Sequence, residues 1–200
     1  MNVLNGCINS PRVENMKISK LSAVLALTVC ATAIPSLSAQ AADGTITFNG
    51  KVTDQTCTIS TPGGKDFTVT LPTVSSSTLN AVSATAGRTP FAINLTKCSK
   101  GQVATYFEPG STVDFKTGRL NNQTKTNAAT NVQIQLLGSN NQFLPILAAT
   151  NNGAQANSQW VTVANEGDSA DLNYYAEYFA TAAAGAGDVT SNVQYTIIYQ

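Results

Sequence analysis

Histidine is absent from all 200 residues, and that absence removes much familiar catalytic chemistry. No imidazole general base, no Ser-His or Cys-His nucleophile and no His metal ligand can be assembled. Carboxylates are the next candidates. Glu166, Asp168 and Asp171 sit together in an Asn-Glu-Gly-Asp-Ser-Ala-Asp stretch, and paired carboxylates can do acid–base work or hold Ca²⁺. No second cluster lies nearby in the sequence, so a solvated turn is the expected reading. Neither an enzyme nor a bound cofactor or metal is expected. Ser, Thr and Lys are plentiful, but no motif sets a nucleophile beside a base. Asn94-Leu95-Thr96 and Asn122-Gln123-Thr124 match the glycosylation acceptor pattern and are taken as coincidence. Charged residues make up 11% of the chain and sum to zero net charge. With no basic stripe interleaved with aromatics, a nucleic-acid partner is not expected.

The remaining chemistry belongs to cysteine, and it depends on a leader. Met16-Lys17-Ile18-Ser19-Lys20 reads as a basic n-region and Leu21 to Ile34 as an apolar h-region. That run is short for a membrane-spanning helix. Pro35 and Ser36 break it, and Ala39-Gln40-Ala41 supplies a small-x-small cleavage pattern. Residues 16–41 are therefore read as a signal peptide and Ala42 as the first mature residue. Residues 1–15 precede a second Met and are read as a misplaced upstream start. Cys7 and Cys30 leave with the leader. Cys57 and Cys98 remain as an even pair in an exported chain, for which one disulfide is the default.

Strands must position everything else. Gly187 to Gln200 alternates through Val189, Val193, Tyr195, Ile197 and Tyr199, the period of a half-buried strand. No later segment follows to pair with its far edge, and an exposed apolar edge invites association. At the other end, Ile46, Phe48, Gly50 and Val52 share one face of a run from Gly44 to Val52. That run either pairs within its own sheet or docks into a neighbour, and the residues alone leave both open. Between them, strands are expected over residues 53–60, 67–71, 91–95, 103–107, 132–136, 142–147, 160–163 and 172–179. A weak hairpin is expected around Gly118, and residues 73–88 are read as a connection, although one helical turn near Leu79 to Val82 is conceivable. Gly, Pro and Asn punctuate these runs, and no long 3.6-residue period appears outside the leader. The expectation is an all-β sandwich. An outer-membrane barrel is disfavoured, because long polar loops interrupt the alternation and aromatic girdles are missing.

Ile46-Thr47-Phe48-Asn49-Gly50-Lys51-Val52 leading to Cys57, the Leu71-Pro72 pair, Phe91-Ala92-Ile93-Asn94-Leu95 leading to Cys98, Ala129 to Leu136, and Gly187 placed before a penultimate Tyr199 occur in one order. In that order they resemble the pilin subunits of chaperone–usher fimbriae, of the type 1 major-subunit kind, across Ala42 to Gln200. The resemblance implies an incomplete immunoglobulin-like β-sandwich lacking its final strand, with residues 42–52 as a donor-strand extension and 53–200 as the pilin domain. It implies completion by donor-strand complementation, a form of β-strand addition. Ile46, Phe48 and Val52 would enter pockets of a neighbouring copy, and Gly50 would mark a crowded spot. Gly187, Val193, Tyr195, Ile197 and Tyr199 would form the groove strand. The implied partners are other copies and related pilins, a periplasmic chaperone and an outer-membrane usher, with a host surface reached through the fimbria as a further candidate. The implied location is the bacterial surface. A minor adaptor or tip-proximal subunit, and a non-polymerising exported immunoglobulin-like binding module, are the alternatives. A lectin-bearing tip adhesin would need a second domain for which the chain is too short.

Overall fold

A computed structural model describes residues 43–150 and 152–200. The expected leader and the residues before it lie outside the described residues. The chain divides into a leading unit that ends at Asn49 and a body, Gly50–Gln200. In the leading unit the described residues 43–49 form no strand and are exposed. The strand expected over Gly44 to Val52 is therefore not present as such. A strand exists only with a ladder partner, and an apolar run without one stays extended in solvent.

Among its described residues the body contains ten strands: β1 Thr58–Ile59, β2 Thr85–Thr96, β3 Gly101–Phe107, β4 Val113–Asp114, β5 Arg119–Asn121, β6 Val132–Gly138, β7 Phe143–Leu144, β8 Val161–Val163, β9 Ala170–Ala180 and β10 Tyr195–Tyr199. A short 3-10 helix, Ser76–Leu79, is capped by the Ser75 hydroxyl, which accepts from the Ser77 amide. The larger sheet runs β1-β2-β9-β6-β5-β4, with β7 also on β6; the smaller runs β10-β3-β8. All strand pairs are antiparallel. The inner face of the larger sheet contributes Ile93 and Leu95 from β2, Leu172 and Tyr174 from β9, and Leu136 from β6. The smaller sheet answers with Val103, Phe107 and Val163, and Phe107 meets Tyr174 edge-on at 5.1 Å between ring centres.

Alternation on β6 predicts that Gln133 and Gln135 face water, yet both are buried. The outer face of the larger sheet is covered by its own long polar side chains. Arg88 donates to Glu177 at 2.8 Å, Gln135 donates to the other Glu177 oxygen at 2.6 Å, and Arg119 donates to Gln135 at 3.0 Å. The Arg119 guanidinium stacks on Phe143 and Phe179, 4.3 and 3.6 Å from their ring centres. Gln135 and Glu177 are buried by these pairings, while the Gln133 side-chain nitrogen donates to Asp114 and Asn121 and its oxygen, also buried, has no partner.

The terminal run is half strand. β10 begins only at Tyr195, because the segment before it is claimed elsewhere. Asp188 bridges Ala128 in a parallel sense, and Asn122 holds the same loop. The Asn122 amide nitrogen donates to the carbonyls of Ala129 and Asp188, while its oxygen accepts from the amides of Thr124 and Thr190. Gly187, at φ +154, lies so close that a Cβ would strike the backbone of Asn127 and Ala129. A Gly187→Ala substitution is expected to destabilise the subunit by about 1–3 kcal/mol, read as a lower urea midpoint with an unchanged slope.

Candidate functional site

An open apolar groove runs along the body, with a volume of about 1090 Å³. One rim is β10, which pairs with β3 and forms the outer edge of its sheet. The other rim is the segment from Lys65 to Leu71. Phe67, Val69 and Leu71 are half-buried while Thr68 and Thr70 are exposed, which is strand-like alternation. Among the described residues, however, this segment pairs with no strand. Sequence periodicity therefore identifies its extended shape correctly but not its missing ladder. The floor is laid by Phe91, Ile93, Ile134 and Leu136, with Phe107 and Leu120. Two unpaired strand edges over an apolar floor leave a slot shaped for one more strand.

Val193, Tyr195, Ile197 and Tyr199 are all half-buried and pack against the main core. Val193, Tyr195 and Ile197 line the groove directly. Tyr195 reaches from β10 to the opposite rim, and Tyr199 reaches to the chain just before β1. The Tyr195 hydroxyl donates to the Lys65 carbonyl at 2.8 Å, and the Tyr199 hydroxyl accepts from the Cys57 amide at 3.1 Å. Burial, and next the negative charge of Asp66, push the Tyr195 phenol above its ordinary range, so it remains a donor at neutral pH. Phe67 packs edge-on to Tyr195 and tilted against Phe91, at 6.4 and 6.3 Å. Tyr195→Phe keeps these ring contacts and removes the Lys65 bond. It is expected to cost about 1 kcal/mol, measurable as a shift in chemical unfolding of the subunit.

Cys57 and Cys98 are joined in a disulfide that spans 41 positions. It fastens the chain just before β1 to the end of β2. Gly187 does not lie with the groove residues; it packs against the loop at 127–129. At the other end of the chain, Ile46, Phe48 and Val52 are 79%, 88% and 99% exposed, and the position of a Gly50 Cβ meets nothing within 4 Å.

The carboxylates do not converge. Asp168 accepts from the Asn165 amide and side chain, Glu166 from the Lys100 amide, and Asp171 from the Asn94 side chain. Each is engaged by a different partner. Among the described residues, no three His, Cys, Asp or Glu side chains are grouped to hold a metal. Phe67, Val69, Phe91, Ile134 and Leu136 escape recognition as groove residues, because a groove floor and a closed core draw on the same apolar alternation. The visible clue is the Phe67–Leu71 run, a strand signal with no obvious partner.

The family model for FimA, type-1 fimbrial protein A, matches residues 71–200. The chain belongs to the type-1 fimbrial protein family. It is 78% identical over 163 residues to the major fimbrial subunit SMF-1 of Stenotrophomonas maltophilia (strain K279a), covering 82% of this chain and 96% of that protein. It is 43% identical over 190 residues to the F17 fimbrial protein of Escherichia coli, covering 92% and 100%. Among solved structures, it resembles a chaperone–usher pilus subunit at a TM-score of 0.56 and 22% identity, over 80% of this chain and 96% of that one. It also resembles the P pilus rod subunit PapA at 0.53 and 19%, over 72% and 99%. The fold is accordingly that of a pilin, an immunoglobulin-like sandwich without its last strand. This fimbrial protein is a structural subunit of a surface fimbria.

Proposed function

We propose that this subunit polymerises head to tail, with the Ile46–Val52 segment of one copy entering the groove of the next. One observation carries the reading: an apolar slot lies between two unpaired strand edges, while three large apolar side chains of the same chain, at positions 46, 48 and 52, stand exposed on one face of a period-2 run. The lengths agree. Residues 46–52 and residues 193–199 are runs of equal number, each about 23 Å long when extended. Three buried apolar side chains contribute roughly 1.5–3 kcal/mol each. Each main-chain bond adds about 0.5–1.5 kcal/mol net. A donor at one end and an acceptor along the body give a contact that does not close on itself, so it propagates as a filament. Before assembly the same groove would be held by a strand lent by a periplasmic chaperone, and exchange would take place at an outer-membrane usher. The likeness to a major fimbrial subunit supports a repeated place in the filament rather than an adaptor's. The role is structural rather than catalytic: Glu166, Asp168 and Asp171 each accept from a different partner and form no converging cluster.

The test is electrophoretic. Surface material extracted without boiling should run as an SDS-resistant ladder at multiples of the subunit mass. Deleting residues 43–52 should collapse the ladder. A full ladder from the deleted chain would refute donation through this segment.

A further inference from the structure

Asn49 and Gly50 sit at the centre of the segment assigned above as donor. Asn49 is exposed and outside any strand, and space around the Gly50 Cα is open. The sequence holds the same dipeptide at Asn5-Gly6 and Asn152-Gly153. Asn152-Gly153 lies in an exposed turn of the body, with both residues at positive φ and the Asn152 carbonyl accepting from the Gln200 side chain. Asparagine is thermolabile, and a following glycine leaves no side chain to hinder the approach of its amide nitrogen, while permitting the folded-back backbone that approach needs.

We infer that Asn49-Gly50 is a self-modification site: it deamidates in the unassembled subunit, is protected in the fimbria, and once modified disables the donor strand. This inference rests on the donor-strand reading. The Gly50 amide nitrogen attacks the Asn49 side-chain carbonyl carbon. A new C–N bond closes a succinimide, and the side-chain nitrogen leaves as ammonia, carrying the proton from the Gly50 amide. Water then opens the ring. Opening at the side-chain carbonyl gives aspartate. Opening at the main-chain carbonyl gives isoaspartate, whose main chain runs through the former side-chain methylene. No oxidant or other reactant is needed.

The consequence follows from the pleat. Ile46 and Phe48 precede the site and Val52 follows it. A strand whose side chains alternate with a period of two cannot absorb one extra backbone atom without displacing every later residue relative to the earlier ones. Isoaspartate at position 49 would seat Ile46 and Phe48 but miss with Val52, or the reverse. Losing one buried apolar anchor weakens insertion by about tenfold or more. Assembly blocks the reaction, because a residue held extended in a ladder cannot fold its side chain back onto the next amide. The segment therefore acts as a clock that retires subunits left unassembled.

The experiment uses two pools of full-length mature subunit from one culture: fimbriae sheared from cells and unassembled subunit from the periplasm. Both are aged at mildly alkaline pH and digested with trypsin. The peptide ending at Lys51 is then assayed for isoaspartate, with the Asn152 peptide reporting whether the pools aged alike. The expected result is modification at position 49 at least about tenfold faster in the unassembled pool. Polymer ladders are then compared for fresh wild type, aged wild type, aged Asn49→Gln and fresh Phe48→Asp. Aged wild type should lose ladders in proportion to its isoaspartate, while aged Asn49→Gln keeps them. Equal modification of position 49 in both pools, or equal ladders from aged wild type and aged Asn49→Gln, overturns the inference and leaves donor-strand exchange standing. Normal ladders from fresh Phe48→Asp overturn donor-strand exchange itself.

Discussion

Phe48→Asp is expected to abolish the SDS-resistant ladder while leaving subunit levels in the periplasm near normal. The asymmetry comes from where the side chain is spent. In its own subunit Phe48 is 88% exposed, so replacing it removes nothing from that fold. In the next copy it would lie on the floor built from Phe91, Ile93, Ile134 and Leu136. There the substitution loses about 1.5–3 kcal/mol of apolar burial and asks an apolar slot to take a carboxylate. An unpaired buried charge costs several kcal/mol more, or forces the group to bind a proton. The sum corresponds to a hundredfold or larger weakening of each junction. Because a filament needs every junction, the effect on length is larger still. Thr47→Asp, on the opposite face of the same segment, should polymerise nearly as wild type. Equal loss in both variants would mean that the segment's charge, and not the face it buries, governs assembly.

Cys57→Ser is expected to have the largest effect on the subunit itself. A bond closing 41 positions removes unfolded-chain entropy worth roughly 4 kcal/mol, a large share of a small domain's stability. The position compounds the loss. Cys57 also donates its amide to Tyr199 at 3.1 Å, so the bridge and this hydrogen bond together tie the chain before β1 to the end of β2 and to β10. The variant should accumulate poorly and unfold at markedly lower urea. Cys98→Ser should match it, and the double variant should be no worse than either, since all three lack one shared bond. A double variant clearly worse than the singles would show that the two cysteines stabilise the fold separately.

Much of this molecule is legible in its residues, and the exceptions have physical causes. Ile93 and Leu95, Val132 to Leu136 and Leu172 to Phe179 alternate cleanly because they are central strands with one face on the core. The Cys57–Cys98 bridge follows from count and compartment. Gln133, Gln135 and Glu177 mislead, because long polar side chains on one sheet can bury each other, and a period-2 pattern records only which face they occupy. Gly187 to Gln194 misleads because Asn122 captures part of the run from outside the sheet. Phe67 to Leu71 and Ile46 to Val52 form the instructive pair. Both carry a strand's alternation, and neither finds a ladder within the described residues. Alternation specifies what a segment can bury; it does not specify which molecule supplies the surface.

The most direct measurement is thermal unfolding of the subunit lacking residues 43–52, with and without a synthetic peptide of residues 44–54. The peptide should raise the unfolding temperature by well over 10 °C, on the order expected for several kcal/mol in a domain of this size, and the Phe48→Asp peptide should raise it little. A trimmed subunit that stays a stable, soluble monomer and is indifferent to the peptide would contradict completion of the fold by a neighbour's leading segment.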